Sequence, residues 1–554
     1  MEKVFIFCVN TNKNYSVKIG TNLNELRNII YNEKNSDIMG ALVNNELEDM
    51  QYVILRPFKV EFVMASSLDG YSIYIRSLIF LLHKSVRSLF RRKNIIVEYF
   101  ISNGIFIKIS KRALKLDDEN INLIKQRMIQ LVREDLPIVR KDVPTDYAIK
   151  IFKKKGLNEK INLMRTRGKL YTSIYYINDE PDYLYGTLAP STGCLKVFDL
   201  VRYKDGMLLV LPDREDTSKL QPIVNQDKLF SIYSEHKRLG KTIGISDIGD
   251  LNNMIANKRA GMMIKVGEAI QEKKISIIAD KIRAKRRKIK LILISGPSSS
   301  GKTTFSKRLS VQLEVNGIRP LNLSLDNYFV NRENTPKDEN GEFDYETIDA
   351  LDIKKFNEDV SDLMNGKEIE IPKFSFETGL RFYDGEKMKM NKNNVLVVEG
   401  IHGLNPKLTS LLPSECMFKI FVSALTAISI DDHNLINPTD NRLIRRMIRD
   451  FKYRNYSAVD TLSRWESVLK GEKEHIIPYQ EEADVLFNSA MIYELGALKS
   501  QAEPLLKDVK EIYPEHSKAL KLLKFFSYVK SIPTKEIPPT SLIREFLGGS
   551  SFEY

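Results

Sequence analysis

The sequence predicts a multidomain chain, with an α/β domain built on a mostly parallel sheet preceded by a β-grasp module and an α+β domain. Three observations predict this. From residue 290, short apolar runs ("KLILISG", "LNLSLD", "NVLVVEG", "MFKIFVS") alternate with helical segments, as expected of strands buried on both faces of a parallel sheet. The first run leads through "GPSSSGKTT" into the helical "TTFSKRLSVQLEV". Residues 1–60 read as strand, strand, helix, strand, strand: "KVFIFCVN", "NYSVKIG", "LNELRNIIY", "IMGALVN" and "YVILRPF".

The remaining elements follow in chain order. Residues 61–230 mix helical stretches ("IRSLIFLLHKSVRSLF", "ENINLIKQRMIQLVRED") with strand-like runs ("NIIVEYFI", "GIFIKIS", "MLLVLP"), an α+β pattern. Residues 231–287 form a helical connector running into the basic "KIRAKRRKIK", which reads first as a solvated helix end before a buried strand. The α/β domain takes residues 288–490. Residues 491–554 form a helical tail with a Pro-marked end, "SIPTKEIPPTSLIREFLGG".

With 554 residues, 43% of them hydrophobic, the chain has material for several packed cores. An excess of 85 Lys and Arg over 72 Asp and Glu gives a net charge of +13, which reads as a solubility property before a nucleic-acid footprint. The best membrane candidate, "YSIYIRSLIFLLHKSVRSLF", is interrupted by Arg76, His83 and Lys84, so no membrane partner is expected. Cys8, Cys194 and Cys416 are too scattered for a disulfide framework, and a reducing cytoplasm is the expected location.

Gly296, Gly301, Lys302 and Thr303 complete G-x-x-x-x-G-K-[ST] between a strand and a helix. The loop Gly296, Pro297, Ser298, Ser299, Ser300, Gly301, with Lys302, Thr303 and Thr304, is expected to wrap a nucleotide's phosphates with backbone N–H groups at a helix N-terminus. Lys302 would reach the β- and γ-phosphates and the Thr303 hydroxyl would ligate Mg²⁺. Asp326 ends the second strand and Glu399 a later one; in a doubly wound sheet both face the ligand. One carboxylate can take an acceptor's proton while the other helps hold Mg²⁺. Arg442, Arg445, Arg446 and Arg449 fall at i, i+3, i+4 and i+7 on one helical face, suited to closing over a transferring phosphate.

The ordered set GPSSSGKTT, SLDNYF, FDYETIDALD, IPKFSF, VVEGIHGL and DNRLIRRMIRD resembles the uridine kinase and phosphoribulokinase family over roughly residues 288–490. The resemblance implies transfer of the ATP γ-phosphate to a hydroxyl of a nucleoside-like acceptor. Asp326 is then the general base, Glu399 the Mg²⁺-associated acid, and Arg442 and Arg445 lid arginines. Asp344 matches a ribose-binding position and Phe374 and Phe376 flank the base, with Tyr328, Arg381 and Arg449 as further acceptor-side candidates. The histidine that reads the pyrimidine edge in uridine kinases is replaced here by Gly379, which leaves a non-nucleoside sugar or polyol as an alternative acceptor.

The front half resembles the TGS module and second domain of threonyl-tRNA synthetases. Arg76, Phe80, Leu184 and Leu188 occupy that domain's four metal-type ligand positions, and leucine cannot ligate a metal. His83, a lone histidine among apolar residues one turn from Phe80, is expected to be a packed one. RNA binding is the less favoured implication of this resemblance, and homo-oligomerisation is compatible with the layout. The whole arrangement resembles bacterial uridine kinase-like nucleoside kinases.

Overall fold

The computed structural model describes residues 2–31, 37–110, 114–337, 341, 343–426 and 428–553. In the carboxy-terminal half five strands form one sheet, ordered Arg319–Ser324, Asn394–Glu399, Leu291–Ser295, Met417–Ser423 and Val485–Asn488. Every pairing in it is parallel. The fifth strand, within "ADVLFNSA", was not expected from the sequence.

Alternation along these strands divides the core. Ile292, Ile294, Val397, Ile420 and Val422 pack on the loop helix Lys302–Val315 and on the long helix Ala260–Ala284. Leu291, Leu293, Leu396, Val398 and Phe421 face helix Ile353–Met364 and Tyr233 of helix Asp227–Ile243. The supposed connector therefore packs against both faces of the sheet. Its basic end is solvated as expected: Lys281, Arg283, Lys285, Arg286, Arg287 and Lys288 are exposed, while Ile282 and Ile289 anchor the chain.

At the amino terminus a five-stranded mixed sheet runs Lys13–Lys18, Lys3–Cys8, Phe58–Met64, Ile38–Val43, Glu46–Glu48. "YVILRPF" is mostly irregular and the strand begins at Phe58, because the apolar alternation that fills this core resumes there with Phe58, Val60 and Phe62. Helix Leu68–Leu89 then packs on an antiparallel sheet of four strands, Asp199–Tyr203, Gly206–Val210, Gly104–Ile109 and Ile95–Ile101. A three-stranded antiparallel sheet, Glu180–Asp182, Tyr171–Ile177 and Ile138–Pro144, lies beside it. No described helix is long and apolar enough to cross a membrane.

The two halves meet through a buried polar cluster. His83 and His433 each direct Nδ1 at the same Asp182 oxygen, at 3.1 and 2.7 Å. Lys160 sits 3.1 Å from Asp182 and 3.0 Å from Asp431. His83 is packed, as expected, but with polar neighbours that the sequence did not show, from positions 99 and 350 residues later. Burial opposes the Asp182 charge, yet His433, Lys160 and His83 hold its pKa well below the usual range. His83, Asp182 and His433 have metal-like spacing, but Lys160 already supplies the cation this carboxylate needs.

Beside the cluster, burial and the neighbouring Glu159 push the Asp432 carboxyl up to about 8. A carboxyl raised on folding favours the native state while protonated, so its contribution falls as pH rises from the unfolded value through 8. Asp432→Asn removes this loss. Its stability advantage over wild type should grow between pH 5 and pH 8, where the thermal midpoint rises by about 2–4 °C; equal midpoints at both pH values would refute the assignment.

Candidate functional site

The loop after strand Leu291–Ser295 needs glycine at 296, because a Cβ there would lie 2.0 Å from the Val422 carbonyl oxygen. Ser299 and Gly301 adopt positive φ angles of 59° and 83°, turning the chain around the anion-binding end of helix Lys302–Val315. Lys302 folds back so that Nζ donates to the Gly296 and Pro297 carbonyls at 2.8 and 3.2 Å. The Ser299 and Ser300 hydroxyls are buried without partners.

Asp326 lies in the short 3₁₀ turn Leu325–Tyr328, and Glu399 ends its strand. Glu399 accepts from Thr303 Oγ1 at 3.3 Å and Ser324 Oγ at 3.4 Å. Burial and the neighbouring Asp326 push its carboxyl up to about 7, while Lys302 pulls the other way. Burial also raises Asp326, against the opposing pull of Lys302, Arg454 and Arg449. Two acids and one lysine thus meet at the carboxyl ends of parallel strands, as the sequence implied.

The arginine face divides. Arg442 and Arg445 are buried and committed to other acids, so they do not face the cleft as lid residues. Arg442 makes a bidentate pair with Glu472 at 2.5 and 2.6 Å and donates to the Ser298 carbonyl. Arg445 pairs with Glu494, reaches the Ser299 carbonyl and stacks on Phe546. Both grip the phosphate loop from behind. Arg446 instead donates to Ser298 Oγ at 2.9 Å. Arg446 and Arg449 share Asp450 with Arg454, and crowding by Arg449 lowers Arg454 to about 10.

Arg454 also lies 5.7 Å from the centre of the Phe376 ring. Phe374, Phe376 and Phe329 form a cluster with centroids 5.2–5.6 Å apart, and Phe376 is 45% exposed. Gly379 closes the hairpin joining strands Lys373–Ser375 and Leu380–Phe382 with φ +73°. A Cβ there would meet Arg332 Nε at 2.6 Å, so a histidine would strain the backbone and displace Arg332. Asp344 accepts from the Glu346 N–H at 2.9 Å. Arg381 is paired with Asp352 at 2.8 Å. Tyr328 is buried in the core with its hydroxyl on Asp359, which removes it from an open acceptor site.

Several site residues went unread in the sequence. Glu346, two positions past Asp344, has a buried oxygen without a partner, and burial together with Glu472 raises it to about 7. Glu472 accepts from the Ser298 N–H at 3.0 Å. Glu545 of the tail accepts from the Thr304 N–H and hydroxyl at 3.4 and 2.7 Å. The cluster of acids Asp344, Glu346 and Asp349 in "FDYETID" was the one available signal; nothing local marks Glu472 or Glu545.

Residues 291–494 match the Phosphoribulokinase / Uridine kinase family. This region is a uridine-kinase-like P-loop domain. The uridine kinase of Ureaplasma parvum is 26% identical over 196 residues, 35% of this chain and 86% of that protein. The chain also resembles the threonine–tRNA ligase of Polynucleobacter asymbioticus, 30% identical over 220 residues, 37% of this chain and 34% of that enzyme. A solved candidate uridine kinase from Bacillus stearothermophilus is 17% identical with a TM-score of 0.26, covering 38% of this chain and 97% of its own. The chain therefore joins a P-loop kinase-like domain to a region resembling a threonyl-tRNA-synthetase module, at low identity. The P-loop kinase fold implies nucleotide binding, and its family relations are consistent with phosphotransfer to a small-molecule acceptor.

Proposed function

We propose that the carboxy-terminal domain is an ATP- and Mg²⁺-dependent kinase that transfers the γ-phosphate to a hydroxyl of a nucleoside. The supporting observation is the convergence of Asp326 and Glu399 on Lys302 at the phosphate loop. Asp326 would orient the acceptor hydroxyl and take its proton. Lys302 would leave its loop carbonyls for the β- and γ-phosphates, and Arg446, Arg449 and Arg454 would offset charge on the moving phosphoryl group. The hydroxyl of Thr303 and the carboxylate of Glu399, hard oxygen donors 3.3 Å apart, fit Mg²⁺. When bound, Mg²⁺ would neutralise charge on the β- and γ-oxygens. Arg442 and Arg445 would act by holding the loop's shape.

The aromatic cluster around Phe376 favours a flat acceptor base, while Gly379 supports a second reading in which the acceptor is a sugar or polyol. Release of ADP should be followed with uridine, cytidine, adenosine, inosine, free sugars and polyols. Turnover is expected with at least one nucleoside and should vanish in Lys302→Met. Stimulation by polyols alone selects the second reading; salt-sensitive RNA binding with no acceptor phosphorylated overturns both.

A further inference from the structure

Helix Leu68–Leu89 lines a cavity of about 480 Å³ at the junction of the two halves. Its apolar wall includes Ile75, Ile79, Phe100 and Leu435. The start of helix Pro438–Tyr453 also borders it, with Asn437, Thr439 and Asp440 lining the space. The volume suits one small organic molecule.

Arg76 lines this cavity. Its Nε and Nη2 both donate to the Thr187 carbonyl, at 3.2 and 3.0 Å. It makes no ion pair among the described residues. Burial lowers its pKa, against the opposing pull of Tyr175, Asp69, Tyr185 and Asp440. The carboxylate that lines the same cavity, Asp440, is already matched by Lys521 at 3.1 Å and Lys518 at 3.7 Å. The cavity thus carries, beside an apolar surface, one guanidinium that has no ion pair among the described residues.

We propose that this cavity binds a small organic anion, a carboxylate or phosphate on an apolar body, and that its occupancy alters nucleotide binding. The anionic head pairs with Arg76 and the body fills the apolar wall. The route to the phosphate loop is one rigid element: helix Pro438–Tyr453 begins at the cavity and, within its next two turns, presents Arg442, Arg445 and Arg446 to Ser298 and Ser299.

Calorimetric titration of the full chain with benzoate and with phenyl phosphate tests the site and tells the two head groups apart. One saturable site is expected for at least one probe, with inorganic phosphate much weaker. Binding should weaken by about tenfold or more in Arg76→Leu, the loss expected for one charge-assisted pair, and partly recover in Arg76→Lys. Ser72→Trp, which fills the cavity from the same helix face, should also abolish it, so that a poorly folded Arg76→Leu does not decide the matter. In wild type, a saturating probe should change the affinity for a fluorescent ATP analogue by about fivefold. Absence of binding, or binding unchanged in both Arg76→Leu and Ser72→Trp, overturns the site. Binding without any effect on nucleotide affinity overturns the coupling.

Discussion

Asp326→Asn is expected to lower turnover by about 10²–10⁴-fold, the range for losing a positioned general base, while the affinity for ATP is kept or slightly improved. The side chain keeps its size, and the Asp326 N–H still donates to Ser324 Oγ at 3.3 Å, so the turn should persist. What disappears is a negative charge beside Lys302 and Glu399. Without it Lys302 is less held by its own site, and Glu399 loses the neighbour that, after burial itself, does most to raise its carboxyl. Single-turnover kinetics would separate the lost chemical step from retained binding. Turnover near wild type would remove Asp326 from the proposed role.

Arg445→Met is expected to cost about 3–5 kcal/mol of stability, because it strands Glu494 as a buried charge without its cation. Arg445 and Glu494 are 0% and 1% exposed, so neither can turn to water. Glu494 would retain only donors such as the Met491 N–H at 3.0 Å. The double variant Arg445→Met/Glu494→Leu removes both charges and should recover most of the loss. Urea unfolding midpoints measure each step, and an unchanged midpoint in the single variant would contradict a structural role. Nucleotide affinity should fall as well, since the Ser299 carbonyl loses its donor.

These two residues show how differently the site could be read from the chain. Asp326 was legible because a strand, a phosphate loop and the switch-point rule place a carboxylate with no information beyond local pattern. Arg445 was legible as a member of a helical face but not in its role, since periodicity says which arginines are neighbours and nothing about what lies opposite. Glu472 and Glu494, 30 and 49 residues from their partners, take Arg442 and Arg445, while Arg446 and Arg449 pair with Asp450. Tyr328 was misread for the same reason: two residues from Asp326, it points instead at Asp359 and the core.

The front half follows the same division. Phe80, Leu184 and Leu188 are fully packed in its core, as expected for apolar residues in place of ligands. Arg76, a cation in the first of those positions, became informative only through the cavity beside it.

By itself the sequence determined the local grammar of this protein: alternating strands, the glycine-dependent phosphate loop, the acids that end strands, and the arginine period. Each rests on interactions within a few residues, where spacing alone sets geometry. Tertiary structure alone decided which buried charges pair, that Glu545 of the tail reaches Thr304 across 241 residues, and that His83 and His433 share Asp182. Burial makes such pairings strong and specific, but the partner of a buried charge is whichever element packs against it, and that is settled only when the cores assemble.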